Sequence, residues 1–345
     1  MGWSAAFLCL ALLTGAADGS RGAPATYANP VIDRDFPDPA ILQAPDGAYY
    51  AYATQSAHDG HMLNIQVARS ADLVRWEQVG DALPVKPVWA SRTQDFWAPH
   101  VVRHDGRYYL YYSARPDPTP ADAEPGLCLA VATAERPEGP FTDVGHPLQC
   151  GSGFVNIDPM AFDDPATGRR LLYWGSGFGP IKVQELAPDR ISFAPGSRPV
   201  ELVQVHHDAG PDDYQRLVEG AWVVLRGGWY YLFYSGDACC GPNAHYAVMV
   251  ARSRHATGPF QPGGVILAKR GLWTAPGHNS VIADASGQLW IAYHAVDTRW
   301  PRENPADELN TRRVMLLDRL VWRNGWPRLA DGGPTETVQG APAAP

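Results

Sequence analysis

The fold is decided by a motif that residues 98–114 show in full, APHVVRHDGRYYLYYSA. A short apolar strand follows Ala98, and the Gly106 turn leads into a strand of alternating aromatic residues. Five related starts lie 59 to 61 residues apart: DPAIL at Asp38, APHVV at Ala98, DPMAF at Asp158, EGAWVV at Glu219 and HNSVI at His278. The glycine turns after them, Gly47, Gly106, Gly168, Gly228 and Gly287, lie 59 to 62 residues apart. Two landmarks with one period indicate a repeat architecture.

Each copy reads as four short strands, and no segment keeps a helical period. After the motif strand and its tight glycine turn comes the aromatic strand. A strand of small and branched residues follows, such as CLAVATA at 128–134, and the fourth is marked by an aromatic after a turn, as in GPFTDVG at 139–145. Five copies of four antiparallel strands predict an all-β, five-bladed β-propeller over residues 29–330.

A ring of five copies would gather acidic residues that are far apart in the sequence. The first strands line the axis, so Asp38, Asp158 and Glu219 become neighbours. Ionising three adjacent carboxylates is costly, and at least one pKa should rise. Two acids with separated pKa values suit glycosidic bond cleavage, in which one protonates the leaving oxygen and another activates water. The alternative is that Asp-Pro and Glu-Gly are turn residues at strand starts.

The N-terminus is typical of a secretory signal. An apolar run at 5–13 is followed by small residues at 14–17. We predict a signal peptide over residues 1–22, cleaved near 16–23, and export to the extracellular space or periplasm as a monomer with a disordered tail at 331–345. The apolar run is too short to span a bilayer, so the mature protein is expected to have no membrane partner. Net charge is −8 and no basic stripe accompanies the aromatics, which argues against nucleic acid binding.

Cysteine usage agrees with export. Cys9 leaves with the signal, and the four remaining cysteines allow three connectivities in an oxidising compartment. Cys128 begins a strand and Cys150 follows the next one, so we favour Cys128–Cys150, which staples a hairpin, together with an adjacent Cys239–Cys240 bridge. The alternative leaves Cys239 and Cys240 free or bridged elsewhere.

Five segments in order and spacing, FPDPAIL, FWAPHV, NIDPMAF, VEGAW and GHNSV, resemble glycoside hydrolase family 43. The resemblance covers nearly the whole mature chain. It implies a five-bladed propeller that cleaves terminal α-L-arabinofuranosyl linkages of plant cell-wall arabinan or arabinoxylan with inversion. A β-xylosidase or an endo-arabinanase on the same scaffold is the alternative, and Pro37, where endo-arabinanases of the family often have His, favours exo action. Other readings are a non-catalytic sugar-binding propeller and a retaining sucrose- or fructan-type hydrolase, whose signatures are absent.

The resemblance also implies roles for the three acids. Asp38 matches the general base that deprotonates the attacking water. Glu219 matches the general acid, and Asp158 matches the third acid, which raises the pKa of the general acid and orients it. Inversion requires the carboxyl groups of base and acid to be about 6.5–9.5 Å apart, so that water fits between them.

Aromatic residues near the axis are candidates for stacking on a sugar. Trp97, at the axial level of blade two beside Ala98, could bury the apolar face of a ring. Phe36 and Trp174 are weaker candidates, and core packing is the better reading for Trp174, which lies inside a strand. We include Trp97, Phe36 and Ala98 among the substrate-binding residues.

Two further positions follow from the resemblance. The family's last strand pair carries a substrate-facing arginine, which we assign to Arg313, with Arg312 as the second choice. His278 matches a histidine beneath the sugar, near a central water or metal ion, so structural calcium in the channel is a candidate although no cofactor is required. The alternative for His278 is an ordinary core histidine. His100 stands where an acid is frequent and is expected to reshape the sugar pocket.

Overall fold

Regular structure in this chain is nearly all β-strand. The structure, a computed structural model, describes residues 1–2, 25–302 and 311–344. Its first seven strands are β1 (Thr26–Tyr27), β2 (Ala40–Gln43), β3 (Tyr49–Ala53), β4 (Ser56–His58), β5 (His61–Leu63), β6 (Gln66–Ser70) and β7 (Trp76–Asp81). Blade one has the order β2-β3-β6-β7, and β4 and β5 form a separate hairpin.

Blades two and three follow. Blade two contains β8 (Phe96–His104), β9 (Arg107–Ala114), β10 (Cys128–Ala134), β11 (Thr142–Asp143) and β12 (Gln149–Cys150). Its outer strand is split, because β11 and β12 both pair with β10. Blade three contains β13 (Met160–Asp163), β14 (Arg170–Trp174), β15 (Ile181–Glu185) and β16 (Val200–Val203), paired in that order.

Blades four and five complete the ring. A 3-10 turn at Pro211–Asp213 precedes blade four, which contains β17 (Val218–Arg226), β18 (Trp229–Ala238), β19 (His245–Ser253) and β20 (Gln261–Leu267). Blade five contains β21 (Trp273–Ala283), β22 (Leu289–Asp297), β23 (Arg313–Arg323) and β24 (Trp326–Leu329), and a last strand, β25, covers Gln339–Gly340. Five antiparallel sheets, each built from successive strands, confirm the predicted five-bladed propeller.

The hydrophobic core lies between the blades. Each pair of neighbouring blades shares one cluster of buried side chains, so a blade has no core of its own. Typical pairs across the five interfaces are Tyr52 and Phe96, Tyr111 and Trp174, Tyr173 and Tyr230, Phe233 and Tyr293, and Phe36 and Met315. The second strands are therefore covered on both faces, as β3 is at all five residues.

The tail after residue 330 differs from the prediction of disorder. β25 pairs with β1, and the backbone N–H of Ala341 donates to the carbonyl of Ala25 over 2.8 Å. Thr335 also donates from its hydroxyl to Asp318 over 2.6 Å. The polar composition of the tail concealed a backbone that supplies a strand partner for the other end of the chain. The predicted signal peptide lies outside the described residues, apart from residues 1 and 2.

The structure joins Cys128 to Cys150, which face each other across β10 and β12 with their Cα atoms 4.0 Å apart. The bridge spans 22 residues. Because closing such a loop restricts the unfolded chain, we expect the C128A/C150A variant to lose about 3 kcal/mol of unfolding free energy. Urea denaturation of variant and wild type measures the loss, and equal midpoints with equal slopes would contradict the expectation.

Candidate active site

The first strand of each blade begins near a residue with left-handed backbone. These residues are Asp38 (φ 56°), Ala98 (φ 47°), Asp158 (φ 60°), Gly220 (φ 62°) and His278 (φ 48°). The equivalent position in blade four is therefore Gly220, and Glu219 lies one residue before it. For a residue with a Cβ atom this conformation costs roughly 1–2 kcal/mol, so the surroundings must impose it.

The imposing contacts come from the preceding blade. Most of these backbone N–H groups donate to a side chain at or just after the end of that blade's second strand. The acceptors are Thr54 Oγ1 for Ala98 (2.8 Å), Ser113 Oγ for Asp158 (3.1 Å), Ser235 Oγ for His278 (2.8 Å) and His294 Nδ1 for Asp38 (3.2 Å). Each blade thus fixes the start of the next, which gives the axial side chains a defined direction.

The three predicted acids line one cavity of about 820 Å³ at this end of the ring. Asp38, Asp158 and Glu219 are 7%, 6% and 8% exposed. His278 and Arg313 line the same cavity. The structure thus brings together five side chains that lie up to 275 residues apart in the sequence.

Asp38 is surrounded by hydrogen-bond donors and positive charge. Thr54 donates its hydroxyl to Oδ2 over 2.6 Å, and Arg313 Nη1 donates to Oδ1 over 3.1 Å. His294 Nδ1 lies 3.1 Å from Oδ1, and because the same atom faces the backbone N–H of Asp38, the tautomer decides which group it binds. Burial alone would raise the pKa of Asp38, but Arg313 and the two neighbouring histidines outweigh it and hold the pKa well below the usual value. Asp38 is therefore an ionised carboxylate that can accept a proton.

Glu219 has the opposite environment. Ser176 Oγ donates to Oε2 and Tyr246 Oη donates to Oε1, each over 2.7 Å. Burial raises the pKa of Glu219, and the negative charge of Asp38 adds to this, whereas the two hydrogen bonds and Arg313 oppose it. The pKa ends above the usual range, so Glu219 keeps its proton to higher pH than a free glutamic acid and can donate it.

Asp158 lies between these two acids. Its Oδ2 accepts a hydrogen bond from the backbone N–H of Gly220 over 2.9 Å. Burial, then the charges of Glu219 and Asp38, raise the pKa of Asp158 well above the usual value. The contact with Gly220 ties Asp158 to the residue that follows Glu219, which suits an orienting role.

Two of the proposed substrate-binding residues lie elsewhere. Phe36 is fully buried in the core between blades five and one, with the Arg34 guanidinium 5.1 Å from its ring centre. Ala98 is buried, and its N–H is engaged by Thr54. Both assignments are corrected, because each residue is used to build the blade start rather than the cavity wall. Trp174 is fully buried in the core, and Trp97 lines the cavity.

The two arginines have different partners. Arg313 binds Asp38, as described above. Arg312 Nη2 donates to the backbone carbonyl of Asp33 over 2.7 Å and pairs with the Asp33 carboxylate. Arg313 is therefore the arginine in direct contact with the acid cluster.

His278 links two of the acids. Its Nδ1 lies 3.4 Å from Asp38 Oδ1 and 3.7 Å from Asp158 Oδ2. Burial lowers the pKa of His278, with Asp38 opposing, so the ring is neutral near pH 7. Among residues 1–2, 25–302 and 311–344, no three His, Cys, Asp or Glu side chains are grouped to hold a metal ion. Calcium takes six to eight oxygen ligands, and the surroundings of His278 do not fit it.

His100 does not reach the acid cavity. It lines a different cavity of about 520 Å³, and its ring lies 5.0 Å from that of Trp222. Its Nδ1 accepts the backbone N–H of Ala161 over 3.3 Å, and burial lowers its pKa to about 3. The expectation that His100 reshapes the sugar pocket is therefore wrong.

Three residues beside the acids were missed by the sequence reasoning: Ser176, Tyr246 and His294. Two of them carry a signal, because Thr54, Ser113, Ser176, Ser235 and His294 follow one another at 59 to 63 residues. Aligning the ends of the second strands would have found Ser176 and His294. Tyr246 lies in a third strand, where no other blade has a matching aromatic in the cavity.

The environments of Asp38 and Glu219 predict an asymmetric pH profile. Turnover needs Asp38 ionised and Glu219 protonated, so kcat/KM falls as pH drops through the pKa of Asp38 and as pH rises through that of Glu219. The acidic limb should lie below pH 3.8, the ordinary pKa of aspartic acid, and the alkaline limb above pH 4.5, that of glutamic acid. Initial rates over a wide pH range measure both limbs, and an acidic limb above pH 5 would contradict the assignment.

Arg313 lowers the pKa of Asp38, Asp158 and Glu219. Removing its charge in Arg313→Ala is therefore expected to move both limbs of the pH profile to higher pH, in addition to reducing the rate. Arg313→Lys keeps a positive charge and should shift the limbs less. A profile of Arg313→Ala that superimposes on the wild type after scaling would show that Arg313 does not tune these acids.

Comparison with known proteins agrees with this geometry. A family model described as glycosyl hydrolases family 43 matches residues 27–327. A β-D-galactofuranosidase of Aspergillus niger is 30% identical and the match covers 90% of this chain and 87% of that protein. An extracellular exo-α-(1→5)-L-arabinofuranosidase of Cellvibrio japonicus is 26% identical, with 86% of each covered. The crystal structure of a thermostable family-43 glycoside hydrolase is 28% identical with a TM-score of 0.75, covering 93% of this chain and all of that one.

Proposed function

We propose, because this chain belongs to family 43 of the glycosyl hydrolases, that it removes terminal α-L-arabinofuranosyl groups from arabinan-type chains with inversion. The observation that carries the proposal is the opposed protonation of two acids in one cavity. Asp38 is held ionised by Arg313, whereas burial keeps a proton on Glu219. An ionised base and a protonated acid around one sugar are what inverting hydrolysis needs.

In this mechanism a water molecule lies between the sugar and Asp38. Asp38 accepts one proton of the water as its oxygen attacks the anomeric carbon. Glu219 donates its proton to the glycosidic oxygen as the bond to the leaving sugar breaks. Attack from the face opposite the leaving group inverts the anomeric centre. Asp158 holds the backbone beside Glu219 and helps to keep its proton in place.

The choice of a furanoside rests on the relatives. The Cellvibrio japonicus relative is named an exo-acting arabinofuranosidase and the Aspergillus niger relative a galactofuranosidase. Their names favour a five-membered sugar ring at a chain end over a xylopyranoside. The relative at 30% identity makes terminal β-D-galactofuranose the second candidate for the same cavity.

Export is proposed on the same basis, because several relatives are named extracellular. The signal-like residues 1–22 and the two disulfides agree with an oxidising compartment. In the part of the chain that the structure describes, no helix has the length and apolar character needed to cross a membrane.

The test is parallel hydrolysis of nitrophenyl α-L-arabinofuranoside, nitrophenyl β-D-galactofuranoside, nitrophenyl β-D-xyloside and debranched arabinan. We expect the arabinofuranoside to have the highest kcat/KM and arabinan to release arabinose from its ends. Preference for the xyloside or the galactofuranoside would overturn the sugar assignment, and activity on the polymer alone would overturn exo action. Proton NMR of the first product formed tests inversion, and a retained anomer would exclude the mechanism.

A further inference from the structure

A disulfide between consecutive residues, Cys239–Cys240, lines the same cavity as the three acids. It continues from β18, the strand whose Ser235 faces Glu219 in the sheet. The hairpin that carries Glu219 therefore also carries the disulfide. Since β18 runs from Ser235 past Asp237 to Ala238 before reaching it, the disulfide lies beyond Glu219 toward the cavity mouth.

The segment around the disulfide is held at both ends. Before it, Asp237 accepts a hydrogen bond from Arg216 Nη2 over 2.6 Å, and its N–H donates to the carbonyl of Leu217 over 3.1 Å. After it, the N–H of Gly241 donates to Thr311 Oγ1 over 2.6 Å. Thr311 is two residues from Arg313, the partner of Asp38. The segment thus reaches from the side of the acid to the side of the base.

The wall at this height is apolar. Leu217 and Ala238 line the cavity beside the disulfide, as do Phe154 and Ile157 from blade three. A disulfide offers no N–H or O–H donor, and its sulfur atoms are polarisable and pack well against C–H groups. Such a wall suits the apolar face of a sugar better than its hydroxyl groups.

The position of Glu219 decides which sugar this wall would meet. A general acid must reach the glycosidic oxygen, so the leaving sugar lies on its side of the cavity. The sugar that is cleaved off lies deeper, between Asp38 and the other acids. The disulfide, placed beyond Glu219 toward the mouth, is on the leaving-group side.

We propose that the Cys239–Cys240 disulfide forms a binding surface for the leaving sugar, against whose apolar face it packs. The inference rests on the proposed function, because it takes Glu219 as the proton donor. It assigns to this disulfide the recognition of the first sugar that stays on the substrate chain, while the acids and Arg313 bind the terminal furanose.

The test is the double variant C239A/C240A. We expect KM for a linear arabino-oligosaccharide to rise about tenfold, which corresponds to about 1.4 kcal/mol and to the loss of a few tens of Å² of apolar contact. The inhibition constant of free L-arabinose, which occupies only the terminal site, should stay within about twofold of the wild type. The variant C239S/C240S, with polar side chains of similar size, should show the same split.

The control is C128A/C150A, which removes a disulfide that does not line the cavity. Assayed well below its unfolding temperature, it should keep the wild-type KM. An unchanged KM in both Cys239/Cys240 variants would overturn the inference. A parallel rise in KM and in the arabinose inhibition constant would also overturn it, because that pattern indicates loss of the whole cavity shape. A wild-type protein that hydrolyses no furanoside would instead overturn the proposed function itself.

Discussion

Glu219→Gln is expected to lower kcat on an arabino-oligosaccharide by about a thousandfold while leaving its binding within a few-fold of the wild type. The amide has the shape of the acid but carries no proton to donate to the glycosidic oxygen. Ser176 and Tyr246 can still hold the side chain, so the cavity should keep its form. Single-turnover rates and calorimetric binding of the oligosaccharide separate the two effects.

The leaving group gives this prediction a sharper readout. A nitrophenolate needs little protonation to depart, so Glu219→Gln should lose far less activity on a nitrophenyl glycoside than on the oligosaccharide. Glu185→Gln is the matched control, since Glu185 pairs with Arg169 on the outside of blade three. Equal losses on both substrates would count against Glu219 as the proton donor. Full activity of Glu219→Gln on the oligosaccharide would remove Glu219 from the mechanism.

Asp38→Asn is expected to reduce kcat by about ten-thousandfold on both kinds of substrate. The amide cannot take a proton from water, and this step is needed whatever the leaving group. The loss should therefore be independent of leaving-group acidity, in contrast to Glu219→Gln. Initial rates on the oligosaccharide and on the nitrophenyl glycoside measure this difference.

Asp38→Asn also removes the negative charge that faces Arg313, so its thermal unfolding must be followed beside its activity. Asp72→Asn is the control, because Asp72 pairs with Arg75 far from the cavity. Added azide or formate can take the place of water as the attacking group without a base. Rescue by such an anion is expected, and its absence in a folded variant would argue that Asp38 has a structural role only.

The ring could be predicted because it is written as a period. Five copies with two landmarks each give the number of blades, and the antiparallel order follows from the tight glycine turns. A period, however, fixes positions only to within a residue. Glu219 was aligned with Asp38 and Asp158, whereas the left-handed residue of blade four is Gly220. Backbone dihedral angles, which the letters do not show, decide such an offset.

The acids could be predicted for the same reason, but their partners could not. Arg313 follows from the family resemblance, whereas Tyr246 approaches Glu219 from a third strand whose direction depends on the twist of the blade. Phe36 stands directly before Pro37 and Asp38 and was expected to face the sugar. It turns into the interface of blades one and five, because the backbone reverses its direction at Asp38. The sequence shows which residues are near the axis and not which way they point.

The meeting of β1 with β25 has a consequence for synthesis on the ribosome. Tyr27 emerges early, yet its strand partner at Gln339 is among the last residues to be translated. Asp38 and Arg313 are divided in the same way, so the base acquires the cation that keeps it ionised only when the nascent chain is almost complete. An interrupted translation product would therefore hold the catalytic carboxylate without its counter-ion and be inert, which makes hydrolytic competence a report that the whole polypeptide has been made.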